Sequence, residues 1–130
     1  MLSHVFLGIT DFDRAFAFYQ ELMTGLGIQL RFCEREKSWA GWQTEGVPRP
    51  LFLIGKPHNG QTHHPGNGQM AALLAANREM VRSVYQAALN RGARCEGPPG
   101  IRPQYHENYF GAYIRDPDGN KLCVVCHAAE

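Results

Sequence analysis

Apolar and polar residues alternate with a period of two at both ends of this chain, and two interior stretches repeat with the period of a helix. Near the start, Val5, Leu7 and Ile9 fall on one side of an extended segment from Ser3 to Ile9, and His4, Phe6 and Gly8 on the other. The segment after it places Ala15, Phe16, Tyr19, Leu22, Met23 and Leu26 on one stripe, with Asp11 as N-cap and Gly25 and Gly27 at the end. Short strands are predicted around 28–34, 38–44 and 51–54, separated by turns containing Gly and Pro.

The same order then recurs. A strand near 69–74 leads to a helix capped by Asn77, with Val81, Val84, Tyr85, Ala88 and Leu89 as its stripe and Gly92 as its stop. Strands follow near 94–96, 109–115 and 121–127, with Gly97-Pro98-Pro99-Gly100 and the stretch through His106 read as a long loop. Phe18-Tyr19-Gln20 aligns with Val84-Tyr85-Gln86 at a shift of 66, which carries His4 onto Met70. The expected architecture is α+β: one domain of two β-α-β-β-β modules, about 1–60 and about 66–130.

The last hairpin is specified most tightly. Asp116-Pro117-Asp118-Gly119-Asn120 predicts a type I turn centred on Pro117 and Asp118, with Gly119 left-handed. Counting outward, Arg115 opposes Lys121, Tyr113 opposes Cys123 and Gly111 opposes Val125. Phe110, Ala112, Ile114, Leu122, Val124 and Cys126 then share an apolar face, and Tyr109, Gly111, Tyr113, Cys123 and Val125 a mixed one. Cys123 and Cys126 resemble a CxxC pair but point to opposite faces, which argues against a shared metal or a redox disulfide.

Composition narrows the partners. The chain is 44% apolar and 19% charged with a net charge of +1, and its cations are scattered, so neither nucleic acid nor an anionic membrane is indicated. Glu34-Arg35-Glu36-Lys37 reads as a solvated strand or hairpin. No run approaches the ~20 apolar residues of a membrane span. The first residues lack the basic flank and apolar core of a signal peptide, so cytoplasmic residence is the expectation.

Two such modules, a histidine on the first strand, Gly66-Asn67-Gly68 before the fifth, and the run from Tyr105-His106 through Asp116-Pro117-Asp118-Gly119-Asn120 resemble the vicinal-oxygen-chelate superfamily. That superfamily includes glyoxalase I, bleomycin-resistance proteins, fosfomycin-resistance enzymes and extradiol dioxygenases. The resemblance implies a curled mixed sheet around a cavity, helices on the outer face, and a homodimer. It also implies one divalent ion, bound by the first strand of each module and by the last strand.

Carried over position by position, those ligands become His4 on the first strand, Met70 on the fifth and Cys123 on the last, and Leu51-Phe52-Leu53-Ile54 offers none. Hard ions want oxygen donors, and Fe(II) oxygenases want two imidazoles and a carboxylate. No cofactor is therefore expected. The alternative is a divalent metal (Zn, Ni, Fe or Mn) on His4, with Cys123 and Met70 as soft partners. A slip of one or two residues would bring in Gln69 or His64.

The candidate ligand-binding residues are His4, Phe6, Met70, Tyr105, Tyr109, Tyr113 and Cys123. The candidate catalytic residues are His106 as acid or base, Tyr113 as donor to an oxyanion, and Cys123 as nucleophile beside a cation. Each has a plainer reading. Met70 packs, Tyr105, His106 and Tyr109 stack to order a Pro-rich loop, His63 and His64 are exposed, and Arg115 with Lys121 is a surface pair. Trp39 and Trp42 have opposite parity, so one lines the cavity and the other packs outside. The leading reading is a protein that holds a small organic molecule in its sheet cavity, with a degenerate metal site. The alternative is a metal-dependent lyase, dioxygenase or thiol transferase.

Overall fold

The computed structural model describes residues 1–130. Its elements are β1 (His4–Gly8), α1 (Phe12–Gly25), β2 (Gln29–Glu34), β3 (Trp39–Gln43), β4 (Leu51–Gly55), β5 (Ala71–Leu74), α2 (Arg78–Asn90), β6 (Arg94–Ile101), β7 (Phe110–Arg115) and β8 (Lys121–Cys126). They form two four-stranded mixed sheets, ordered β1-β4-β3-β2 and β5-β8-β7-β6. In each sheet the module's first strand runs parallel to its last and the other pairs are antiparallel. The expected curled sheet is thus two sheets of one plan, each ending in an unpaired edge, β1 or β5. No helix is long and apolar enough to cross a membrane.

Local chemistry sets the helix ends. Asp11 accepts the Arg14 N–H at 3.1 Å and Asn77 accepts the Met80 N–H at 2.8 Å, each satisfying a donor that the first turn leaves free. The buried stripe of α1 is Phe12, Ala15, Phe18, Tyr19, Leu22 and Met23. Phe18 takes the deep place that the sequence assigned to Phe16, because Phe16 lies at the margin, between the Trp42 ring (6.0 Å) and the Arg35 guanidinium (5.1 Å). α2 buries Val81, Val84 and Ala88. One apolar core of 23 residues joins both modules, and each large side chain removed from water there contributes about 1.5–3 kcal/mol.

Three segments depart from the sequence reading. β6 continues to Ile101, through the Gly97-Pro98-Pro99-Gly100 stretch expected as loop. It is an edge strand, and its pairing with β7 slips between Cys95 and Gly97 and again between Gly97 and Gly100. The prolines therefore sit where the ladder requires no N–H. β5 begins at Ala71, two residues later than expected, so Met70 precedes the strand. Arg35–Lys37 form a 3₁₀ turn, with Ser38 in the left-handed region at φ 54°, closing the β2–β3 hairpin.

The final hairpin has the predicted register, from Arg115 opposite Lys121 to Phe110 opposite Cys126. Gly119 lies at φ 88°, and its N–H reaches Asp116 O at 2.9 Å. The whole apolar face, Phe110, Ala112, Ile114, Leu122, Val124 and Cys126, is in the core. Arg115 opposes Lys121 as expected, and its guanidinium also bonds Glu96 at 2.9 Å and Gly119 O at 3.0 Å.

This turn also clamps the two modules together. Asp116 Oδ2 accepts from the Tyr19 hydroxyl of α1 and from Asn120 Nδ2, while Oδ1 accepts the N–H groups of Asp118 and Asn120. Asn120 Nδ2 also donates to Gly8 O at 2.8 Å. Asp118 Oδ1 accepts from Thr10 N–H at 3.0 Å and from the Arg14 guanidinium at 3.1 Å. A turn read as a hairpin device is therefore the polar contact between module two and the β1–α1 junction of module one.

Candidate functional site

The inner face of the second sheet carries a connected group of polar side chains. Register puts Tyr113 and Cys123 opposite one another on β7 and β8. The Tyr109 hydroxyl lies 3.0 Å from that of Tyr113 and 3.5 Å from Cys123 Sγ. Around Tyr109 stand the rings of Tyr105 at 4.8 Å, His127 at 5.3 Å and His106 at 5.7 Å. His106 Nδ1 accepts the Asn108 N–H at 3.2 Å, so His106 carries its proton on Nε2 and donates to His127 Nδ1 at 2.8 Å.

Burial sets the protonation of this group. It is the main cause that lifts the Tyr109 phenol far above its ordinary range, the Tyr113 phenol upward, and the Cys123 thiol upward. For Cys123 the hydrogen bonds from Tyr109 and Tyr113 and the fields of Arg102 and Lys121 oppose that push without cancelling it. At neutral pH all three groups are protonated. In that state each can donate a hydrogen bond, and Cys123 is fully buried.

The inner face of the first sheet is aromatic. Phe32 and Trp39 meet edge to face at 4.6 Å, and the Trp39 indole N–H is buried without a partner. Trp42, of opposite parity, is in the core and donates to Gln20 at 2.9 Å. Between the edge strands β1 and β5 runs an open groove of about 1280 Å³ that includes Leu2, Phe6, Met70, Leu74 and His127. His63 lines it too, and is not solvated as expected. Its Nε2 lies 3.0 Å from Asn120 Oδ1, and a Cβ on Gly8 would come within 2.3 Å of its Nδ1, so the ring occupies the space that glycine leaves. His64 is exposed.

The sequence-derived candidates thus separate into groups. Tyr105, His106, Tyr109, Tyr113 and Cys123 form one contacting cluster. Phe6 and Met70 share the groove, 47% and 46% exposed. His4 is exposed at the start of β1, with its Nδ1 3.0 Å from Ser3 Oγ. The sequence did not single out His127, whose ring joins this cluster, or Arg102, whose guanidinium lies 5.5 Å from the centre of the Tyr113 ring. The parity of β8 places His127 on the face of Cys123, and that signal was available. Arg102 lay in a stretch read as loop.

Two modules, each a four-stranded mixed sheet covered by a helix, define a protein of the vicinal-oxygen-chelate class. The sequence model of the Glyoxalase/Bleomycin resistance protein/Dioxygenase superfamily matches residues 1–124, and the chain belongs to that superfamily. It is similar to the crystal structure of a glyoxalase/bleomycin resistance protein from Albidiferax ferrireducens, with 35% identity and a TM-score of 0.87, over 97% of this chain and 98% of that one. It shares its fold with a glyoxalase-related enzyme from Fulvimarina pelagi, at 19% identity and a TM-score of 0.73 over 97% and 87% of the two chains. A glyoxalase/bleomycin resistance protein/dioxygenase family enzyme from Burkholderia phytofirmans aligns at 19% identity and a TM-score of 0.72, over 97% and 98%. No curated protein matches the chain.

Members of this superfamily often use a divalent metal, and the donors here do not fit one. No group of three or more His, Cys, Asp or Glu side chains is gathered closely enough to hold an ion. His4 is engaged by Ser3, Met70 faces the groove, and the Cys123 thiol is protonated against Tyr109. Of the three ligands carried over by resemblance, His4 is exposed at the start of β1, Met70 precedes β5 in the groove, and Cys123 is buried on β8.

Proposed function

We propose that this protein binds a small organic molecule on the inner face of its second sheet, through hydrogen bonds donated by the Tyr113–Tyr109 pair, with no metal in the site. The observation that supports this reading is the Tyr109 hydroxyl, held between Tyr113 at 3.0 Å and Cys123 at 3.5 Å while all three groups stay protonated. A neutral phenol in a partly desolvated setting is a strong donor to a carbonyl or carboxylate oxygen and cannot act as a base. The rings of Tyr105, His106 and His127 supply flat surface for the rest of the ligand.

Homodimer formation belongs to the same reading. Strands β1 and β5 both expose an unpaired edge to the groove, and Leu2, Phe6, Met70 and Leu74 beside them are 46–69% exposed. Such edges invite pairing with another chain. Sedimentation at micromolar concentration tests it: a dimer is expected, and a monomer overturns this part of the proposal.

Binding is tested by screening small carbonyl and carboxylate compounds by NMR against the native protein and the Tyr113→Phe and Tyr109→Phe variants. Ligands that shift resonances of Tyr113, Tyr109 and Cys123, and bind about tenfold more weakly to either variant, are expected from the loss of one hydrogen bond to a ligand. Binding unaffected by both substitutions overturns the assignment of this face.

A further inference from the structure

Two cations stand on the same inner face and serve no carboxylate of the protein. Arg102 follows β6 and folds back over it. Cβ atoms placed on Gly97 and Gly100 would lie 3.2 and 2.9 Å from its guanidinium nitrogens, so these two glycines form the hollow in which the group rests. One nitrogen donates to Pro98 O at 2.7 Å, and the guanidinium carbon lies 5.5 Å from the centre of the Tyr113 ring. From β8, Lys121 brings its Nζ to 5.8 Å from the centre of that ring.

Neither Arg102 nor Lys121 has a carboxylate oxygen within 4.0 Å, although seven other ion pairs occur in the molecule. Glu96, which feels the field of Lys121, is bonded by Arg115 at 2.9 Å. Arg102 spends one N–H on Pro98, so most of its planar fork remains available. The phenols and thiol near the two cations are uncharged, and hence do not neutralise them. Two cations without counter-charges, both beside the Tyr113 ring, form a positive surface next to a protonated phenol. A carboxylate fits it by charge and by the bidentate geometry of the guanidinium.

We infer that the inner face of the second sheet is a site for a small organic anion whose carboxylate lies between Arg102 and Lys121 and accepts a hydrogen bond from Tyr113. This rests on the binding role proposed for Tyr113 and adds the charge of the ligand. The aromatic cluster of Tyr105, Tyr109 and His127 is placed to take the apolar body. Selectivity then comes from charge at one end and stacking at the other.

The test uses matched probes that differ in charge but scarcely in shape: benzoate with benzamide, 2-naphthoate with 2-naphthamide, and hexanoate with hexanamide. Each is titrated by NMR into the native protein and into Arg102→Gln, Lys121→Gln, Tyr113→Phe and, as a remote control, Lys37→Gln. At least one carboxylate should bind about tenfold or more tightly than its amide, which is about 1.4 kcal/mol. Arg102→Gln and Lys121→Gln should each remove most of that preference, while Lys37→Gln leaves it intact.

Salt gives a readout that does not depend on the variants folding. The carboxylate preference should shrink as sodium chloride rises from about 20 to about 200 mM. Equal affinity for both members of every pair, with Tyr113→Phe weakening both, overturns the anion inference and leaves the binding role of Tyr113 standing. No binding by any pair, or binding that Tyr113→Phe leaves unchanged, overturns both.

Discussion

The Tyr19 hydroxyl donates to Asp116 Oδ2 across 97 residues of sequence, joining α1 of the first module to the last turn of the second. Both side chains are buried, so neither has water as an alternative partner. Tyr19→Phe leaves the ring packing in place and removes the donor. A loss of about 1–3 kcal/mol in urea unfolding is expected, the usual cost of depriving a buried polar group of a partner. A change within error would mean that the clamp is held by Asn120 alone.

Asp116 adds a pH signature. Burial raises its carboxyl above the ordinary value of 3.8, against the opposing hydrogen bonds from Tyr19, Asn120 and Asp118. The folded protein therefore holds this proton more tightly than the unfolded chain. This group's contribution is full below the ordinary value and is lost as pH rises through the raised one. Asp116→Asn should remove that falling slope from a plot of stability against pH. It should also cost stability at pH 7, because one face of the amide meets the Asn120 Nδ2 donor.

Thiol labelling reads the facing of β8. Cys95 is exposed and Cys33 partly so, whereas Cys123 and Cys126 are fully buried and the Cys123 thiol is raised by burial. Iodoacetamide at pH 8 should modify Cys95 first and spare Cys123 and Cys126 until urea unfolds the chain. Rapid modification of Cys123 in the native protein would show the inner face to be open to solvent at that point.

His63 supplies a test of the segment between the modules. Gly8→Ala puts a methyl group where the ring now lies, within 2.3 Å of Nδ1. The ring should leave Asn120, moving the Asn120 side-chain amide resonances and lowering the thermal midpoint, because a buried amide loses a partner. Unchanged Asn120 resonances would place His63 elsewhere in solution.

Chelation tests the donor set. Ligands that do not converge bind no ion tightly, so dialysis against EDTA should leave the thermal midpoint where it was, and added Zn²⁺, Ni²⁺ or Mn²⁺ should not raise it. A rise proportional to metal concentration, abolished by His4→Ala, would restore the metal-dependent reading.

By itself the sequence determined what depends on neighbours along the chain. Asp11 and Asn77 start helices because their side chains reach N–H groups three residues on. The Asp-Pro-Asp-Gly-Asn turn sets the β7–β8 register because turn geometry propagates outward two residues at a time, and this alone put Tyr113 opposite Cys123. The repeated order of elements specified the two-module fold for the same reason. Tertiary structure decided what those residues meet. Nothing local tells Asp116 that its partner is Tyr19, or His63 that Gly8 leaves room for its ring. The Gly97-Pro98-Pro99-Gly100 stretch is a turn signal by composition, yet it becomes an edge strand because β7 offers a ladder that two bulges can follow. That change carries Arg102 to Tyr113, a contact between residues whose proximity depends on how β6 lies against β7 and on no pattern within either.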